Sequence, residues 1–421
     1  MKQVKLLIKS AKIIDKNSRF HNQIKDVSIE NGIITAIANS IDQTKGFIEI
    51  KKENLHVSNG WFDSSVSFGE PGYEERENIE NGLMVAAKSG FTAVGLNPNT
   101  DPYIDNKSAV EFVISKSAFS PVKLHPIANL TKRSEGKELS EMFDMKNSGA
   151  IAFGDYNHPV ENANLLKIAL LYAQNFNGLV LSFPQDMSII RNGFVNESVN
   201  TTRLGLKSIP NLSEELRVAR DLFLLEYTGG KLHIPTVSTE KSVKLIKDAR
   251  KKGLDVSCSV SAHHLILTDK ELSSFDSSYK VSPPLRSVKD TRALKKGLKD
   301  GTIDIITSDH NPIDIENKKL ELENSLYGTI GLESLFGSVN NILDLEQTIA
   351  CLTENPRRRF GLEPTKIEKG EIADITLFDP EIHYTFTEDN ILSKSKNSAF
   401  LGKELKGMVY GILANRQLVL N

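Results

Sequence analysis

The sequence predicts an α/β fold, a (β/α)8 TIM barrel carrying a small β-sandwich domain formed by both termini. Three observations carry this. Short, continuously apolar runs alternate with amphipathic helical patterns through the middle of the chain, which is the pattern of a parallel sheet covered on both faces. Eight such runs fall within roughly 300 residues, the size of a single barrel of this kind. Both chain ends are instead β-rich, with short strands and turn residues. The expected division is residues 55–365 for the barrel and residues 1–54 with 366–421 for the composite sandwich.

In chain order, residues 4–14 are β-rich, and residues 26–38 alternate apolar and polar around Asn31-Gly32, a strong hairpin signal. The eight runs follow at 57–62, 91–96, 122–128, 150–153, 179–183, 231–234, 254–260 and 303–307. Helical patterns lie between them at 74–88, 107–116, 139–145, 162–174, 213–227, 240–252 and 288–299. Residues 184–212 and 261–287 are connections longer than the ~2–6 residues usual for such loops, a length that goes with functional or covering roles. Strands at 372–378, 409–413 and 417–420 complete the terminal domain. A doubly wound sheet is the competing architecture, but no Gly-rich phosphate loop follows the first strand.

Composition narrows the function classes. With 52 basic and 54 acidic residues the net charge is -2, which argues against a nucleic-acid binder. No apolar run approaches the ~20 residues that span a bilayer. The first residues enter a strand pattern and do not resemble a signal peptide. Cys258 and Cys351 are far apart, with no CxxC spacing, so a reducing, cytoplasmic setting is expected.

In a barrel the chemistry sits at the carboxyl ends of the strands. A hydrolytic zinc there needs imidazole or carboxylate ligands and an open position for water. The strand ends supply Asp63, Ser65 and Ser67; Asp155 and Tyr156; Phe183; Thr236; and Asp309 with His310. Of nine histidines, only His310 follows one of these five ends within three residues, His233 lying inside the run 231–234, and no His-x-His or His-Glu-x-x-His spacing occurs. Hydroxyls bind zinc poorly and a phenyl ring does not bind it, so no tight zinc site is expected. Asp309 and Asp155 are read as buried carboxylates tied into hydrogen bonds. Asp309-His310 is read as a neighbouring pair without a nucleophile, and His263-His264 as packing residues whose side chains diverge. Ser65 and Ser67 share one strand face and are read as small polar fillers.

Several ordered motifs add a resemblance. Asp63 to Gly72, with Glu70-Pro71-Gly72, resembles the Asp-x-His-x-His-x-Arg-Glu-Pro-Gly run of dihydroorotases. Asn97-Pro98-Asn99-Thr100, the segment ending at Asp155, His233 to Thr239, His263-His264-Leu265, Pro283-Pro284-Leu285-Arg286, Thr307 to Pro312 and Ser393 to Asn397 resemble later motifs of that family in the same order. The chain is thus similar to class I dihydroorotases, cyclic amidohydrolases of the amidohydrolase superfamily. The resemblance implies metal-ligand positions at Ser65, Ser67, Asp155 or its neighbour, Phe183, Thr236 and Asp309, with all four histidines replaced. It implies a proton-shuttle position at Asp309, idle without a metal-bound water. Of the substrate contacts Asn99 remains, while Gly69, Ser282 and Ile313 stand where an arginine, an asparagine and a histidine would be.

The reading that follows is a non-catalytic dihydroorotase-like protein of pyrimidine biosynthesis, needing no cofactor. It would serve as a structural or regulatory partner, for example of aspartate transcarbamoylase or of an active dihydroorotase, and the family pattern implies a homodimer. An active cyclic amidohydrolase is the first alternative, with zinc held by Asp155, Asp309 and His310. A small-ligand sensor using the vacated pocket is the second.

Overall fold

The computed structural model describes residues 5–42 and 46–421. Residues 1–4 and 43–45, with the expected start of the first strand at Val4, lie outside the described residues. Eight parallel strands form the barrel: Trp61–Val66, Phe91–Leu96, Lys123–Ala128, Ala152–Phe153, Val180–Leu181, Leu232–Ile234, Val256–Ser261 and Ile305–Thr307. They are numbered here as barrel strands 1 to 8. Each pairs with the next in sequence, and strand 8 returns to strand 1 through a parallel bridge between Val66 and His310. The Ser67 amide donates to the His310 carbonyl at 2.7 Å, and the Ser308 amide donates to the Asp63 carboxylate at 3.0 Å. The buried Asp63 side chain therefore helps to close the barrel.

The helices between the strands form where apolar residues recur on one face and a polar side chain caps the start. Helix Lys107–Lys116 begins where Asn106 accepts from the Ala109 amide at 3.0 Å. Helix Val288–Lys299 begins at Ser287, which accepts from the Asp290 amide at 3.4 Å. The pattern expected at 74–88 becomes helical only at Ile79, where Asn78 provides the cap. The long connections carry their own structure. Residues 184–212 hold two short helices and a two-stranded sheet pairing Val195–Asn196 with Ser208–Ile209. Residues 261–287 open with helix Ala262–Ile266.

The apolar run at 57–62 is one strand by pattern but two in the structure. His56–Asn59 pairs with Lys5–Ile14 and with Ile375–Thr385 in the terminal sheet, and Trp61–Val66 starts the barrel. The break falls at Gly60, where a β-carbon would lie 2.1 Å from the Asp374 carboxylate and 2.1 Å from the Thr92 hydroxyl. Only glycine lets the chain pass between the two sheets here. The terminal sheet therefore includes residues 56–59, beyond the expected boundary at 54. Its eight strands, drawn from both ends of the chain, are hydrogen-bonded in one continuous sheet that encloses a core of its own, with Leu6, Ile29, Val57 and Leu377 buried in it.

Trp61 sits at this junction, fully buried, with Phe91, Phe336 and Phe378 around it at ring separations of 5.8, 4.8 and 5.6 Å. Its indole donates to the Ser58 hydroxyl at 3.0 Å. Trp61→Ala is expected to cost about 3–5 kcal/mol, the usual range for emptying a large aromatic site, measured as a fall in the urea midpoint followed by circular dichroism.

Candidate functional site

The carboxyl ends of the barrel strands bring Ser65, Ser67, Asn97, Tyr156, Phe183, Thr236, His263 and Asp309 together. Asp309 follows strand 8 with φ +48°, a left-handed turn that carries its side chain into the barrel mouth. Its Oδ1 accepts from the Ser65 hydroxyl at 3.3 Å and from the Tyr156 hydroxyl at 3.3 Å. Its Oδ2 lies 4.0 Å from His263 Nε2. Asn97 Nδ2 donates to Ser65 Oγ at 3.2 Å and to Ser67 Oγ at 3.3 Å. The two serines expected as fillers are thus linked by a side-chain amide at the end of strand 2.

Burial dominates the electrostatics. It pushes the Asp309 carboxyl up to about 7, helped by the negative charge of nearby Asp63. Asp63 is itself pushed up to about 6 by burial, against the bonds it accepts from Ser308 and Ser65. Burial also holds His263 well below the usual imidazole range, and neither ring nitrogen has a hydrogen-bond partner. Tyr156 is pushed well above the usual phenol range by burial and by Asp309. The group is a set of neutral donors and acceptors around one carboxyl that keeps its proton towards neutral pH.

Several sequence expectations change in three dimensions. Asp155 does not face the mouth. Its carboxylate accepts from the Leu130 and Thr131 amides at 2.9 and 3.0 Å and from the Thr131 hydroxyl at 2.5 Å, anchoring the loop after strand 3. His310 does not pair with Asp309. Its Nδ1 accepts from the Gly331 and Leu332 amides at 3.2 and 3.4 Å, and its ring packs edge-on to Phe68. The trio Asp155, Asp309 and His310 is therefore not convergent. His263 and His264 lie on a helical turn, not at a strand end, and their rings approach to 4.5 Å without diverging. His264 is nonetheless a packing residue, bonded to Ser261 Oγ at 2.6 Å and to the Pro283 carbonyl at 2.9 Å.

The donors at the implied ligand positions do not fit a zinc ion. Phe183 and Thr236 are buried in the wall, Asp155 is committed to a loop, and Asp309 stands alone beside two hydroxyls. Among the described residues, no group of three or more His, Cys, Asp or Glu side chains is placed to hold a metal. The backbone nonetheless keeps an unusual shape. Tyr156, Thr236 and Asp309, at the ends of strands 4, 6 and 8, have φ of +52°, +55° and +48°. Positive φ is uncommon for such side chains and gathers at active sites and ligand clamps.

The cavity behind these side chains is small, about 20 Å³. It is lined in part by Ser65, Asn97, Tyr156, Phe183, His233 and Thr236. That is room for about one water, against the ~300–1,000 Å³ of ordinary ligand pockets. Asn99, Gly69, Ser282 and Ile313 do not line it. Asn99 Oδ1 is buried without a partner. A β-carbon at Gly69 would lie 1.8 Å from the Tyr73 carbonyl, so no arginine fits there without rebuilding the loop. Ile313 is buried, its amide donating to Asn397 Oδ1 at 3.1 Å. Tyr156, which the sequence placed at the end of strand 4 without a role, is the residue whose hydroxyl reaches Asp309; its signal was a bulky phenol immediately after Asp155.

Comparison with known proteins agrees with this architecture. A family profile described as "Dihydro-orotase-like" matches residues 56–242, and one described as "Amidohydrolase family" matches residues 205–413. The chain is 38% identical to the dihydroorotase of Geobacter metallireducens over 408 residues, covering 96% of each chain. It is 38% identical to that of Acetivibrio thermocellus over 421 residues, covering 98% of each. The L-hydantoinase (dihydropyrimidinase) from Arthrobacter aurescens has a similar fold, with TM-score 0.87 at 20% identity, covering 99% of this chain and 96% of that one. The D-hydantoinase from Thermus sp. gives TM-score 0.80 at 20% identity, covering 99% and 95%. The chain belongs to the dihydroorotase family of amidohydrolases.

Proposed function

We propose that this chain is a non-catalytic dihydroorotase-like protein of pyrimidine biosynthesis that acts as a structural or regulatory partner of an active enzyme. The observation that carries the reading is the barrel mouth. A cavity of only about 20 Å³, with Tyr156 and Phe183 in its wall, stands where catalysis would need room for a substrate. The scaffold around it remains intact. The loop Ser393 to Asn397 is bonded to the barrel face, with the Lys394 amide donating to Glu77 at 2.9 Å and Ser393 Oγ donating to Glu333 at 2.6 Å. Fold and activity are separable, so a retained scaffold with a closed site fits a role in assembly. The active alternative has little support, because Asp155 and His310 are turned to other partners. The sensor alternative meets the same small cavity.

Aspartate transcarbamoylase is the partner we propose, with an active dihydroorotase second. Mixing this protein with each enzyme from its own source, followed by size-exclusion chromatography with light scattering, tests this. A co-eluting complex with at least one is the expected result. Separate elution from both contradicts the partner role.

A further inference from the structure

The amino-terminal end of the barrel, opposite the closed mouth, holds a much larger cavity than the mouth does. Its volume is about 350 Å³, within the ~300–1,000 Å³ of ordinary small-molecule sites. It lies between helix Glu354–Phe360, the turn after that helix, and Asn59 of the terminal sheet. Barrel strand 1 starts two residues after Asn59, so the cavity stands where the chain crosses from one sheet to the other.

Three polar atoms of its lining residues are buried without a hydrogen-bond partner among the described residues: Asn59 Oδ1, Arg357 Nε and Thr365 Oγ1. Asn59 and Arg357 are only 8% and 6% exposed. A buried polar group left unpaired has given up water without return, and folded proteins pair nearly all such groups. One of them can be met by a single water. Three around one cavity of ligand size form a set with complementary roles. Arg357 Nε can only donate, Asn59 Oδ1 can only accept, and the Thr365 hydroxyl can do either.

Arg357 is also fixed in place. Its Nη2 donates to the Gly60 carbonyl, the Thr92 hydroxyl and the Asp374 carboxylate, each at 3.1 Å. Those bonds tie it to the starts of barrel strands 1 and 2. Arg358, next on the helix, is exposed, and its guanidinium donates to the neutral Asn355 Oδ1 at 3.0 Å. Glu354 also lines the cavity, and its carboxylate takes a long bond of 3.5 Å from Asn17 Nδ2. The lining therefore carries two guanidinium groups and one carboxylate. Guanidinium presents several N–H donors in a rigid fork that matches the oxygens of a carboxylate or a phosphate.

We infer that this cavity binds a small organic anion. Its carboxylate or phosphate group is held by Arg357, Arg358 and Thr365, and an O–H or N–H group beside it donates to Asn59 Oδ1. The bound molecule touches both parts of the fold at once. Asn59 pairs with Ile375 in the terminal sheet, and Arg357 is anchored to the barrel. Its binding therefore stabilises the joined state of the two. The site is at the far end of the barrel from the mouth, so it stands whether or not the mouth is catalytic.

Isothermal titration calorimetry on the full chain at low salt tests this with four probes. Malate and succinate differ by one hydroxyl, and ribose 5-phosphate and ribose differ by the charged group. The expected result is that malate or ribose 5-phosphate binds with Kd below about 1 mM, at least about fivefold tighter than its counterpart. Which of the two binds decides between a carboxylate and a phosphate ligand. Arg358→Gln, a change at an exposed position, is expected to weaken that binding at least about fivefold with unchanged circular dichroism. Asn59→Leu is expected to erase the advantage of malate over succinate, or to weaken ribose 5-phosphate to the same degree. Absence of binding by both malate and ribose 5-phosphate overturns the inference. So does binding no tighter than that of succinate and ribose, or binding that Arg358→Gln leaves unchanged.

Discussion

Asp309→Asn is expected to stabilise this protein at pH 8, by roughly 2–3 kcal/mol more than at pH 5. Burial raises the Asp309 carboxyl from an ordinary 3.8 to about 7 in the folded chain. Between those values the folded state holds a proton that the unfolded state has released. Folding stability contributed by this group is therefore present at low pH and is lost as pH rises towards 7. At pH 8 the native protein carries an ionised, buried carboxylate. Asparagine carries no charge at any pH. Its carbonyl accepts the same bonds from Ser65 and Tyr156, and its amide is a donor on the side of the unpartnered His263 nitrogen. Neighbouring Asp63, Asp155 and the buried histidines are present in both proteins, so the difference between the two reports position 309 together with its coupling to Asp63. Urea midpoints at pH 5 and pH 8 check it. Parallel midpoints, or a variant weakened at pH 8, contradict the electrostatic reading of the mouth.

Arg286→Ala is expected to cost about 3–5 kcal/mol, the range for removing one partner of a buried ion pair. Arg286 is fully buried and lies 3.8 Å from Glu214, itself fully buried. Its guanidinium donates to Ser238 Oγ at 3.0 Å, to Asn196 Oδ1 at 3.1 Å and to the Ile209 carbonyl at 3.2 Å. Glu214 in turn accepts from the Ser238 and Thr239 amides at 2.9 and 3.0 Å. One side chain thus ties both long connections to the end of strand 6. Removing it leaves three acceptors and a carboxylate without their cation. Arg286→Met keeps much of the volume and is expected to recover little, since charge and hydrogen bonding carry most of the loss. Chemical denaturation of the two variants beside the unmodified chain measures both.

The barrel was legible because its strands are uniformly apolar and its helices begin at cap residues. Strand 2 and the helices at Asn106 and Ser287 have the expected limits for that reason. The first apolar run misled because burial alone cannot show that a strand changes sheet; that turns on the space around Gly60. At the site, residue types carried the expectation of no tight zinc site, since serine, phenylalanine and threonine cannot replace imidazole at zinc. Side-chain direction was not legible. Left-handed turns at Tyr156, Thr236 and Asp309 decide what faces the mouth, and neither periodicity nor motif spacing encodes them. Asp155 is tied into hydrogen bonds as its type suggested, whereas His310 bonds to the Gly331 and Leu332 amides and not to Asp309, and Tyr156 lines the cavity.

Metal content and turnover measured on one preparation test the central claim most directly. Protein purified without chelators and incubated with zinc, then desalted, is assayed by elemental analysis and for ring closure of carbamoyl aspartate to dihydroorotate. The closed mouth and the missing imidazoles predict zinc well below one per chain and no turnover above the buffer. Stoichiometric zinc together with dihydroorotate formation that Asp309→Asn abolishes contradicts the account.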